Sequence, residues 1–199
     1  MRATMNEPRP SQPCPDARMV DIVGAVQSGD ENVIAMLNEA RQAWPHDHRL
    51  PFLRGAVQAG ERRYDEARAD FVAALELAPA FSIASFMLGF LDLTNGQVER
   101  ARASWQPLDA LPTDETLRVL KTGLLNLAED RFELAIAQLR AGMASNERYP
   151  LINPYVAAVL AQLEGTEPPP GGSADPHDGK AGMLGSDLPH AYPHPYFSR

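Results

Sequence analysis

Residues 62–79, RRYDEARADFVAALELAP, decide how this chain is read. The stretch follows a polar turn, carries Ala67, Phe71 and Ala74 at helical spacing, and stops at Pro79. Residues at i, i+4 and i+7 share one face of a helix. Stepping along the chain by 34 residues finds the same helix again. Ala67 recurs as Ala101 and Ala135, with Val33 upstream, and Phe71 is matched by Leu37, Trp105 and Leu139. Tyr64 has Val98 and Phe132 in its slot, and Gly55, Gly89 and Gly123 keep the same interval. Pro79 has Pro45 in the slot before it, while Pro112 falls one place short of the next. Self-similarity at this period predicts a solenoid, in which each unit buries its apolar face against its neighbours.

Each unit reads as two helices. The first is expected over Ser82 to Thr94, ending at the turn dipeptide Asn95-Gly96. The second is expected from Val98 to Ala110, with Val98, Ala101, Trp105 and Leu108 on one face. A glycine inside a helix costs roughly 1 kcal/mol relative to alanine. Gly89 is therefore expected to meet Ala101, where two small residues let the backbones approach closely.

Gly55, Tyr64, Ala67, Phe71, Ala74 and Pro79, then Leu88, Gly89, Ala101 and Trp105, then Gly123, Phe132 and Ala135, resemble the tetratricopeptide repeat pattern. The resemblance covers residues 17–163. It implies an all-α, right-handed α-solenoid of about four helix-turn-helix units, with a capping helix from Asn153 to Leu163. Such a cap covers a terminal unit that has no further neighbour. The chain departs from the pattern in two places. Gln58, Asp92 and Asn126 stand where the family carries an aromatic in the first helix, and the first unit, around Asp21, lacks the glycine.

Outside that span the composition changes. Residues 1–16 are expected to form a disordered, Pro-rich arm that contains Cys14, the single cysteine, which excludes an intrachain disulfide. Residues 164–185 read as a Pro/Gly-rich linker unable to bury enough to order itself. Residues 186–199 form a separate tail segment in which Leu188, Tyr192, Tyr196 and Phe197 alternate with prolines. The formal charge is −8, and lysines and arginines do not cluster. Nucleic-acid and anionic-membrane surfaces need a basic patch, so neither is expected as a partner. The N-terminus has no signal-peptide core, and no apolar run suits a membrane span. A cytoplasmic protein is expected.

Motifs for chemistry are missing where an enzyme would need them: no Gly-rich phosphate loop, no His-Glu-x-x-His and no paired cysteines. His46 and His48 flank Asp47 in an interhelical loop, and His177, His190 and His194 lie in the tail. Neither set has a scaffold that fixes metal geometry. No catalytic residue, metal or cofactor is expected.

In tetratricopeptide arrays the first helices of successive units line a concave surface, so the resemblance implies a protein or peptide partner there. The implied lining is Arg18, Ile22 and Ala25; then Phe52, Ala56 and Ala59; then Ile83, Phe86, Phe90 and Leu93; then Leu117, Leu120, Leu124 and Leu127. These residues are apolar, not the Lys, Asn and Arg of the carboxylate-gripping subclass. The alternative for the apolar stripe is ordinary core. Gln58, Asp92 and Asn126 form a polar row, read either as hydrogen bonds to an extended peptide or as local satisfaction of helix-end carbonyls. The expected function is an interaction module with an apolar groove, chaperone-like towards a hydrophobic partner. The alternatives are an adaptor for a folded partner and a ligand-binding accessory subunit of an enzyme complex. The tail is a candidate occupant of the chain's own groove.

Overall fold

The computed structural model describes residues 12–165. Among them the chain forms nine α-helices and no strand: α1 Asp16–Ser28, α2 Val33–Ala43, α3 Arg49–Gly60, α4 Tyr64–Leu77, α5 Ser82–Thr94, α6 Val98–Trp105, α7 Thr116–Ala128, α8 Phe132–Ala144 and α9 Asn153–Gly165. The all-helical expectation holds, and α5 has the expected limits. The expected boundary between residues 16 and 17 falls one residue inside α1. Of the linker expected over residues 164–185, residues 164 and 165 belong to α9, and the remainder, like the tail of residues 186–199, lies outside the described residues.

The helix ends follow from local chemistry. Proline disfavours helical angles in the residue before it, and Trp44 (φ −131°) and Ala78 (φ −142°) cap α2 and α4 ahead of Pro45 and Pro79. Leu111, ahead of the early Pro112, is likewise extended (ψ 158°). The second helix expected through Ala110 is instead divided. α6 stops at Trp105, and Gln106–Ala110 continue as a 3-10 helix. Pro107 lacks an N–H and would clash with the carbonyl four residues earlier.

The turn between first and second helix recurs with the period. Arg62, Gly96 and Asp130 occupy one slot and have φ of 62°, 73° and 57°. Beyond each, the N–H of Arg63, Gln97 or Arg131 donates to the carbonyl of Gln58, Asp92 or Asn126 at 2.9, 2.8 and 2.9 Å. That six-to-one bond around a left-handed residue closes a helix with a Schellman motif.

The chain divides into two units within α5, after Ala84. In the first, Ile22, Val26, Leu37 and Leu50 form the centre, with Met19, Ile34, Trp44 and Phe52 packed around it. Cys14 belongs to this core, not to the arm expected from the sequence. Its N–H donates to Asp47 Oδ2 at 2.8 Å, and its carbonyl accepts from Arg49 Nη2 at 3.1 Å. Arg49 also pairs with Asp47 at 2.7 Å. Burial would raise the Asp47 pKa, but the bonds from Arg49 and Cys14 outweigh it and hold the carboxyl below its ordinary value. Burial pushes the Cys14 thiol up.

In the second unit α7 packs along α8, and α9 returns against α8. The periodic slots have one fate in both units. Leu37, Phe71, Trp105 and Leu139 are each 0% exposed, as are Ala67, Ala101 and Ala135. The glycine contact reaches further than expected, to the large residue of the second helix. A Cβ on Gly89 would lie 2.5 Å from Cδ1 of Trp105, one on Gly55 3.0 Å from the Phe71 ring, and one on Gly123 2.9 Å from Leu139. The glycine makes room for the large residue 16 positions on, and at Gly55 also for the Ala67 carbonyl, 3.1 Å from such a Cβ. A bulky side chain lying flat on the first helix needs a bare backbone beneath it.

Candidate binding site

The polar row is the sharpest place to begin. The Gln58 amide, oriented with its nitrogen towards Asp70, donates to Asp70 Oδ2 at 2.8 Å and to the Glu66 carbonyl at 3.1 Å. Asp92 Oδ2 accepts from Ser104 Oγ at 3.2 Å, and Asn126 Nδ2 donates to Gln138 Oε1 at 2.5 Å. Each pair joins a first helix to a second helix 12 residues later, at equivalent slots of three units. Gln58, Asp92 and Asn126 are 4%, 3% and 7% exposed. The row is thus an internal bond repeated three times. It is neither a ladder open to a peptide backbone nor, in its side chains, a cap on helix-end carbonyls. Asp70, Ser104 and Gln138 escaped the sequence reading, although polar residues recurring on a buried helix face were the available signal.

Asp70 does more than its counterparts. It is 3% exposed and also accepts Arg54 through Nε at 2.6 Å and Nη2 at 2.7 Å, and Arg41 at 2.9 Å. Arg54 additionally reaches Asn38. Two cations on one buried carboxylate tie α2, α3 and α4 together. Burial, and then the neighbouring Arg54 charge, lower the Arg41 pKa.

The apolar row separates into two classes. Phe86, Phe90, Leu93, Leu120, Leu124 and Leu127 are 1%, 4%, 1%, 0%, 0% and 6% exposed. They present almost no surface and are core as the chain stands, because other parts of the same chain fill the space in front of them. Phe86 stacks on Trp105 with centroids 6.1 Å apart, and the indole Nε1 donates to the Phe86 carbonyl at 2.9 Å. Phe90 meets Tyr155 of α9 at 6.0 Å. Ile22, Ala25, Ala56, Ala59 and Leu117 are also buried.

Phe52 and Ile83 are different, being only half-buried. Phe52 sits edge-on to Phe81 at 5.1 Å, and Phe81 in turn meets the His48 ring at 4.6 Å. His48, Phe52 and Phe81 are all half-buried, so the first unit keeps a small aromatic surface. His48 and Phe81 were not expected in it. Among the described residues no group of three His, Cys, Asp or Glu side chains is placed to hold a metal, and no helix is long and apolar enough to cross a membrane.

No protein-family model and no curated protein matches this chain. Its reading rests on its own residues.

Proposed function

We propose that the chain is a right-handed α-solenoid of about four tetratricopeptide-like units, capped by α9, that holds a segment of another protein on its first-helix side. One observation carries this reading. The same two-helix module recurs in α3–α4, α5–α6 and α7–α8, with its left-handed turn, its glycine under a large side chain and its buried polar pair. A module that satisfies its own polar groups needs no ligand for them, so contact falls to the side chains that the packing leaves partly open. The half-buried aromatics His48, Phe52 and Phe81 are the contact surface we assign in the first unit.

Site-specific crosslinking tests it. A photoreactive residue at Phe52 should capture a partner in cells, and the same group at Leu134, which is 55% exposed on α8, should not. Equal capture at both positions would remove the surface assignment. A captured partner that turns protease-sensitive on release marks a chaperone-like holder; one that stays folded marks an adaptor.

A further inference from the structure

The chain enters the first unit beside its aromatic surface. Cys14 is 1% exposed, and its N–H donates to Asp47 Oδ2 at 2.8 Å while its carbonyl accepts from Arg49 Nη2 at 3.1 Å. The two residues that hold it flank His48 in sequence. Asp47 is itself only 3% exposed, so the clamp fixes the point from which the upstream chain emerges. Pro13 and Gln12, one and two residues further out, are already exposed. From His48 the aromatic surface runs to Phe81, with centroids 4.6 Å apart, and on to Phe52 at 5.1 Å. All three rings are half-buried, and each belongs to the same unit as the clamp.

The residues upstream of the clamp have the chemistry such a surface accepts. Pro8 and Pro10 lie six and four residues before Cys14. Proline fixes φ near about −65° and favours extended chain, and extended Pro-rich segments dock on aromatic-lined surfaces at a low ordering cost. Polyproline II advances about 3.1 Å per residue, so six residues span up to roughly 19 Å. That reach exceeds the two ring spacings from His48 to Phe52.

We propose that the arm of residues 1–11 docks through Pro8 and Pro10 across His48, Phe81 and Phe52, as an in-cis cover that competes with a partner segment for this surface. The proposal regulates the surface assigned above and rests on that reading. The clamp at Cys14 supplies the tether, which holds the prolines at an effective concentration on the order of millimolar. The tail of residues 186–199 is the rival occupant within the chain. It starts 21 residues after α9 ends. Effective concentration falls roughly as the −3/2 power of tether length once the span is met. The arm, with Pro10 four residues from its clamp, has the shorter tether and is the occupant we assign.

The test uses the purified full chain with no partner present. A photoreactive phenylalanine derivative at Phe52 should crosslink to residues 1–11. The same group at Val20, which is 69% exposed and six residues from Cys14, is the control for mere proximity. Capture of the arm at Phe52 should exceed that at Val20 on the order of tenfold, since docking concentrates what a tether alone spreads over its reachable volume. Equal capture at the two positions overturns the proposal, and so do crosslinks from Phe52 to residues 186–199 in place of the arm. NMR on the unaltered chain decides independently of whether any variant folds. Nuclear Overhauser contacts from the His48 ring to Pro8 or Pro10 should be present, and their absence would end the proposal. Crosslinking in cells at Phe52 tests the partner reading separately. A partner captured there, with no arm contact in the purified chain, removes only the cover. An arm contact with no partner captured removes the partner and leaves the docked arm standing.

Discussion

The helix pairs α3–α4 and α5–α6 fill the same slots with different chemistry. In the first, Gly55 lies under Phe71, and Gln58 reaches a carboxylate, Asp70, that already holds two arginines. In the second, Gly89 lies under the larger Trp105, whose indole N–H is anchored on the Phe86 carbonyl, and the polar pair is the Ser104–Asp92 bond. The architecture constrains size and polarity at each slot but not the residue. Stability is therefore concentrated in the ionic network of one pair and the ring packing of the other.

The largest effect should come from the glycine slot. Gly89→Ala forces a methyl group into the indole of a fully buried Trp105, and overpacking of this kind costs about 3 kcal/mol. Gly24 in α1 is the control. A Cβ there meets nothing within 4 Å, so Gly24→Ala should stabilise by about 0.5–1 kcal/mol through helix propensity. Urea denaturation measures both, and two changes of the same sign would break the comparison.

The polar slot comes next. Asp70→Ala strips the shared partner from Arg41 and Arg54, which are 30% and 24% exposed and can recover some solvation. The cost should be about 2–3 kcal/mol. Ser104→Ala, in the equivalent slot, removes one neutral-to-charged bond and should cost about 1 kcal/mol. Equal losses in thermal denaturation would mean that the arginine network adds nothing to Asp70.

The turn slot should follow. Arg62 holds φ 62° where the second turn has Gly96 at 73°. A side chain in the left-handed region costs about 1 kcal/mol. Arg62→Gly should therefore stabilise by about that amount, and Gly96→Ala should destabilise by a similar one, as read from denaturation midpoints.

The smallest effect is conditional on pH. The folded Asp47 carboxyl lies below its ordinary value, so its clamp on Cys14 is fully present above the unfolded aspartate pKa near 4 and is lost as pH falls through the folded value. The stability gap between the native chain and Asp47→Asn should accordingly be constant at neutral pH and close in acid. At pH 8, Asp47→Asn should also speed the reaction of buried Cys14 with a thiol reagent. A gap unchanged down to pH 2 would show that Asp47 does not act through its charge.

Much of the fold could be read locally, for a physical reason. Helices depend on residues three and four apart, and their ends on neighbouring prolines and left-handed turn positions. The limits of α5 and the uniform burial of Leu37, Phe71, Trp105 and Leu139 were therefore accessible from spacing alone. What spacing could not supply was the occupant of each face. A stripe such as Phe86, Phe90 and Leu93 is apolar whether it lines an open groove or fills a core. The outcome was decided by Trp105 and by Tyr155, the latter 65 residues beyond Phe90. The same holds for the polar row. Its period was written in the chain, but whether Gln58, Asp92 and Asn126 faced a ligand or the second helix of their own pair depended on Asp70, Ser104 and Gln138 arriving opposite them. Local sequence determined which segments are helical and where they stop. Tertiary structure alone decided which side of each helix is covered, because burial depends on the residues that come to lie opposite, and no local pattern names them.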